Sequence, residues 1–381
     1  MRFHLTTIAV AIAFTLSSAG AGFGQQPADS SQKPPTEKKT VSAAPKSAAP
    51  KTNAGAGPAN QGRRKPLVIG KPTMSLHTFP QIVEIMKKSA LNYKVDTIEG
   101  VRPNTFPRDT IRPVLPVGMY ISYTDSIPYL LPYKVPSMAG PFLGFAGQAY
   151  EEKKYDEAIS WYRKVQLVDP KFQPTYSYLG EAYLMLDSLD SAKVNLGKAI
   201  ALNFVDFESH RLMGETLWKL KDTAGAIKEM TIAHVLNLNS LPIQGELEEM
   251  RLNSGRLFFG QRIEPMYGVV KRHDTVIVQS SLGWIGYAMV KALWKYEPKY
   301  AKGMLGFDPK GSLYILQEER EGIVASLSTN KSLAFLNPII EKGFLDEFIL
   351  YDIIGPRYPR EISFMGREGI LRMADYVDKC Q

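Results

Sequence analysis

Between residues 141 and 240 the chain superimposes on itself at a fixed offset of 34 residues. Small residues recur at Ala146, Gly180 and Gly214, then at Ala158, Ala192 and Ala226, then at Val165, Ala199 and Ala233. Large apolar residues fill the columns between them: Phe145, Leu179 and Met213, then Tyr162, Leu196 and Met230. Each block holds two segments with apolar spacing of three and four, the mark of amphipathic helices. In the second block Tyr176, Leu179, Gly180 and Tyr183 share one helical face, and Ala192, Leu196, Ala199 and Ile200 share the next. The small residues let two helix axes approach, and the large ones fill the notch beside them. One such pair cannot bury its own apolar face, so neighbouring pairs must stack.

A period of 34 with this pattern resembles the tetratricopeptide repeat (TPR) family. The first block carries the family's Tyr155-Asp156-Glu157-Ala158, with Pro170 closing its second helix. Phe204 and Leu238 replace that proline in the later blocks, and His210 stands where an aromatic residue is usual, so those two repeats are divergent. The resemblance implies a mainly α chain with a three-repeat, right-handed helical superhelix. It implies recognition rather than chemistry, because this scaffold carries binding far more often than catalysis. In the family the first helix of each pair lines a concave groove. Those positions here are Leu143, Gly147, Tyr150 and Glu151, then Ser177, Glu181, Leu184 and Met185, then Arg211, Glu215, Trp218 and Lys219. Tyr150, Leu184 and Trp218 would form an apolar stripe flanked by Glu181 and Glu215, a match for a partner bearing Lys or Arg. Chaperone-binding members place Lys, Asn and Arg at such positions to clamp a carboxylate. Acids stand at two of those places here, so that role is not expected.

Residues 1–21 read as a secretory signal: Arg2, an apolar run from Leu5 to Leu16, and small residues at Ala19-Gly20-Ala21. The run is shorter than the roughly 20 apolar residues of a spanning helix, and no later segment reaches that length. Residues 22–66 are rich in Pro, Ala, Lys, Ser and Gln and read as a disordered linker. The linker holds eight basic residues against two acidic ones, a net +6 of the chain's +8. The basic character therefore belongs to the tail, which argues against a nucleic-acid-binding domain and allows only weak contact of the tail with an anionic surface.

Residues 67–140 are expected to hold a helix over 80–96, with Ile82, Val83, Met86 and Ala90 on one face. A Pro- and Tyr-rich extended segment with short strands follows over 101–139. That segment either lies in the repeat groove as an internal ligand or packs on the first repeat. The repeats and a capping helix at 246–252 fill residues 141–253. Residues 254–381 read as a mostly helical domain with short strands at 256–259 and 275–278, a helix from Trp284 to Tyr296, and further helices over 312–327, 333–342, 344–354 and 366–379.

The single cysteine, Cys380, allows no internal disulfide and no thiolate zinc site. No metalloprotease, phosphate-loop, dinucleotide or nucleophile-elbow motif occurs. His77, His210 and His234 stand apart in sequence. Catalytic, cofactor and metal residues are accordingly not expected. Three weaker clusters read first as surface: His273-Asp274 as a turn, Glu318, Glu319 and Glu321 around Arg320 as a solvated face, and Arg357-Tyr358-Pro359-Arg360 as an exposed loop. The leading expectation is a non-enzymatic, exported scaffold of the bacterial envelope, periplasmic or secreted, that binds a protein or peptide. The alternative is a C-terminal enzyme or small-ligand domain with the repeats as docking unit, for which His273, Glu318 and Asp352 would have to meet in one pocket. A third is an assembly protein that binds its own copies.

Overall fold

The computed structural model describes residues 76–98, 114–124, 127–257, 263–301 and 316–381. Residues 1–75, with the expected signal and linker, lie outside them, as do residues 99–113 and the first four of the helix expected over 312–327.

Three helix hairpins form the repeats: α2 and α3 (Gly140–Glu151, Tyr155–Val168), α4 and α5 (Gln173–Met185, Leu189–Leu202), and α6 and α7 (Phe207–Lys219, Thr223–Leu236). The small columns are where the helices touch. Ala158, Ala192, Ala226, Val165, Ala199 and Ala233 are all fully buried. At Gly214 an added Cβ would sit 3.2 Å from the Ala226 carbonyl oxygen and the Met230 nitrogen, so the helices cross closely there and a side chain would need its neighbours to give by a few tenths of an ångström. A further helix, α8 (Leu241–Asn253), stacks on α7. It is longer than the sequence suggested and begins at the same 34-residue offset as α4 and α6.

The turn inside each repeat places one non-glycine residue in the left-handed region: Lys153 (φ 61°), Asp187 (φ 56°) and Lys221 (φ 67°), again 34 apart. That conformation costs an L-residue with a Cβ roughly 1–2 kcal/mol. Lys153→Gly and Lys221→Gly are each expected to raise stability by about 0.5–1 kcal/mol, the strain relieved less the extra chain entropy of glycine. Urea denaturation checks this; a loss of stability would show that the lysine side chain itself holds the turn.

Residues 80–96 do not form one helix. Helix α1 (Phe79–Lys87) buries Ile82 and Met86 as expected, but the chain turns at residues 88–91 and Asn92–Thr97 becomes a strand, β1. Ala90 is exposed in that turn. Strands β2 (Met119–Thr124) and β3 (Ile127–Pro132) form an antiparallel hairpin. β4 (Tyr267–Arg272) and β5 (Thr275–Ser280) form another, and β1 joins β5 in parallel, from Asn92 beside Thr275 to Thr97 beside Ser280. The expected strand at 256–259 is absent where described: Arg256 and Leu257 are exposed and irregular, and 258–259 lie outside the described residues. Helix α9 (Ile285–Tyr296) covers the sheet, with Ile82, Met86, Val276, Val278, Met289 and Leu293 in one core. The regions before and after the repeats, which the sequence separates at 140/141 and 253/254, therefore share a single α/β module into which the repeats are inserted.

The remaining chain is helical: α10 (Pro298–Ala301), α11 (Leu316–Leu327), α12 (Leu336–Glu341), α13 (Leu345–Phe348) running on into a wide π turn over Ile349–Ile354, α14 (Arg360–Ser363) and α15 (Gly366–Cys380). α14 and α15 lie against α7. This explains why α7 from Met230 to Leu236 is apolar or uncharged around its whole circumference and buried on every side. Among the described residues, no helix is long and apolar enough to cross a membrane.

Candidate functional site: the concave face of the repeats

The inner helices α2, α4, α6 and α8 set equivalent residues side by side. Of the apolar stripe, Tyr150 and Trp218 are half-buried, while Leu184 between them is only 2% exposed and belongs to the core. Met185, next to it, is 46% exposed, and Glu151 is exposed. The sequence reading stopped one helix short. At the same offset α8 adds Leu252, 65% exposed, to the stripe and an exposed Glu249 to the Glu181–Glu215 column. The offset alone was the signal that could have found them.

The acids dominate this face. Tyr150 donates its hydroxyl to Glu181 at 2.9 Å. Burial pushes the Glu181 carboxyl up, against that hydrogen bond. Arg211 is clasped by Glu208 at 2.6 Å, with Glu246 at 3.5 Å and Glu215 at 3.8 Å. Glu246 is likewise pushed up, by burial first. One guanidinium thus serves three carboxylates, and Arg211 is not free to hold a partner's acid. Leu143 and Ser177, at the other end of the inner helices, are buried.

That other end is occupied by the chain's own extended segment. Asn203 and Asn237, 34 residues apart and both buried, close α5 and α7. The Asn203 amide donates to the Met119 carbonyl at 2.8 Å. Asn237 accepts from the Leu115 N–H at 3.0 Å and donates to the Leu115 carbonyl at 3.1 Å. Tyr133 packs edge-on against Phe172, 5.9 Å between ring centres. The segment therefore runs across the ends of the second and third repeats rather than resting on the first alone. Beneath this edge Gln173, Ser177, Asp206 and Ser209 form a buried network, with Gln173 Nε2 donating to Asp206 at 2.7 Å.

The weaker clusters end in other places. His273 and Asp274 form the two-residue β4–β5 turn, exposed, with His273 at φ 57°. Arg357 pairs with Glu264 at 2.8 Å, Tyr358 is partly buried and Pro359 buried, so that loop is fastened down rather than exposed; only Arg360 faces solvent. The acidic run on α11 is the clearest correction: Glu318, Glu319, Arg320 and Glu321 are all buried, not a solvated face. Lys291 of α9 reaches Glu318 at 3.3 Å and bonds Glu319, which also accepts the Tyr287 hydroxyl. Glu321 bonds the His77 ring and accepts the Trp294 indole N–H at 2.6 Å. Arg320 pairs with Asp346. Burial pushes the Glu318 carboxyl up to about 7, against the pull of Lys291. Burial by itself would lower the Lys291 ammonium, but the two carboxylates outweigh it and hold it raised. Asp352 accepts the Tyr376 hydroxyl at 2.8 Å. His273 thus stands exposed on a turn, while Glu318 and Asp352 are buried with separate partners, so the three do not come together. His210 pairs with Glu229 at 2.6 Å and His234 with Tyr351 at 2.7 Å, both inside the fold. Among the described residues, no group of three or more His, Cys, Asp or Glu side chains could hold a metal ion.

No family model matches this chain, and no curated protein matches it. Solved structures of TPR domains do. The first TPR of Spaghetti (RPAP3) bound to the HSP90 peptide SRMEEVD is 24% identical over 32% of this chain and 97% of that one, with a TM-score of 0.31. The first TPR domain of human RPAP3 is 24% identical over 31% of this chain and 93% of that one, at 0.30. The Arabidopsis OM64 TPR domain is 16% identical over 30% and 95%, also at 0.30.

Proposed function

We propose that the chain is a non-enzymatic, exported scaffold of the bacterial cell envelope. In this reading the concave face of α2, α4, α6 and α8 takes a protein segment that carries Lys or Arg beside an apolar side chain. The observation that carries the reading is the pair of parallel columns, Glu181, Glu215 and Glu249 beside Tyr150, Trp218 and Leu252. The Glu181 carboxyl, pushed up by burial, gains from a cation brought to it. The apolar column supplies the desolvated anchor such a contact needs. The signal-like start supports export, and the basic tail suits weak attraction to an anionic surface.

Calorimetry with a Lys/Leu-patterned peptide tests this. Glu215→Lys with Glu249→Lys is expected to weaken binding roughly 10- to 100-fold, in line with the several kcal/mol that like charges cost across an interface. Both positions are at the surface, so circular dichroism should show the fold intact. Unchanged affinity would remove the groove from consideration.

A further inference from the structure

The repeat columns have one exception, and it lies at one end of the array. Phe145 is 50% exposed, whereas its equivalents Leu179 and Met213 are 2% and 8% exposed. In the second and third repeats this column packs against the helix pair before it. Among the described residues the first repeat has none, and the end of a stack needs a cover. What remains is an aromatic patch: Phe145 lies 4.9 Å from Trp161 and Phe142 stacks on it at 6.2 Å, centre to centre. Exposed clusters of this kind mark interfaces.

The charges around the patch select the occupant. Glu157, Trp161 and Lys164 follow one another along a single stripe of α3, at helical spacing. The Glu157 carboxylate accepts from the Trp161 indole N–H at 3.5 Å, and the Lys164 ammonium sits 3.6 Å from the ring centre. An acid thus stands on one side of the tryptophan and a base on the other. A surface with that order is complementary to itself when turned by a two-fold rotation. With α3 running antiparallel to its copy and the axis between Ser160 and Trp161, Glu157 faces Lys164 of the second copy, and Lys164 faces its Glu157. The tryptophans meet at the centre.

We propose that this end face, α2 with α3, is a homodimer interface in which a second copy of the chain covers the first repeat. It is separate from the concave groove and stands or falls independently of it. The self-complementary order gives a test that a merely sticky patch would not pass. Sedimentation velocity on the full chain, from about 1 to about 100 µM, spans the range in which a standard interface of moderate strength dissociates. The native chain is expected to pass from monomer to dimer. Glu157→Lys alone and Lys164→Glu alone each bring like charges together twice and should weaken the dimer roughly tenfold or more. An equimolar mixture of the two single variants should regain it as a heterodimer, and so should the double variant Glu157→Lys, Lys164→Glu. Both residues are exposed, so these exchanges leave the repeat core untouched. A native chain that stays monomeric throughout overturns the proposal and assigns the patch to another molecule. Single variants that dimerise like the native chain, or a mixture that does not recover, overturn it as well.

Discussion

Lys291→Met is expected to cost about 3–5 kcal/mol, because it strands buried carboxylates without their counter-charge. Glu318 and Glu319 share that ammonium inside the α9–α11 crossing, and Tyr287 completes the set. The loss should depend on pH. A carboxyl whose folded pKa lies above its unfolded value holds a proton in the fold that the unfolded chain has released. Its ionisation therefore opposes folding, and stability rises as pH falls through the folded pKa toward the unfolded one. For Glu318 that window runs from about 7 down to the ordinary 4.5. Removing Lys291 takes away the one cause that lowers the Glu318 carboxyl, so the deficit should be greatest near pH 8 and partly recovered at pH 5. Glu318→Gln should reduce the native chain's own gain over the same interval to what other buried carboxyls such as Glu181 and Glu246 contribute. Urea denaturation at the two pH values decides it; a deficit equal at both would mean that the carboxylates are not the group left exposed to the low dielectric.

Asn237→Ala should release the extended segment. It removes two hydrogen bonds to Leu115 and leaves that backbone amide without its acceptor, a loss of about 1–3 kcal/mol. Amide exchange over residues 114–120 should accelerate while the helices of the repeats keep their protection. Asn203→Ala, which removes the bond to the Met119 carbonyl, should do the same to a smaller extent. Unaltered exchange would show that the segment is held by Leu115 and Tyr133 packing rather than by the two asparagines.

The repeats were legible because small residues recur at the crossings and their period is local and strict. Ala158, Ala192 and Ala226 predict one another. Asn203 and Asn237 stand at the same offset, but an asparagine column has no meaning until the strand it grips is in view. Strand β1 was not legible for a different reason. Ile82, Val83, Met86 and Ala90 give the whole stretch a helical spacing, and what makes a strand of Asn92–Thr97 is a partner far along the chain. The run Glu318-Glu319-Arg320-Glu321 misleads in the same way. Charges on one helix look solvated when Lys291, His77 and Asp346, which bond them, come from elsewhere. Within the groove, sequence placed Glu181, Glu215 and Trp218 on one face but could not show that Leu184 turns into the core.

The union of β1 with β5 also sets an order of events during synthesis. About 180 residues separate the two strands, so β1 leaves the ribosome roughly 10–40 s before its neighbour exists. All three repeats are complete in that interval and can fold while the strand waits. An unpaired strand is a hazard, and β1 carries its own protection: Lys94 and Asp96 place opposite charges along it, 3.6 Å apart in the finished fold. When β5 arrives, the last pairing to form is the one that encloses everything made before it. The chain on either side of the array then runs into one sheet, so strands before and after the repeats are joined even though the outer face of the first repeat stays open.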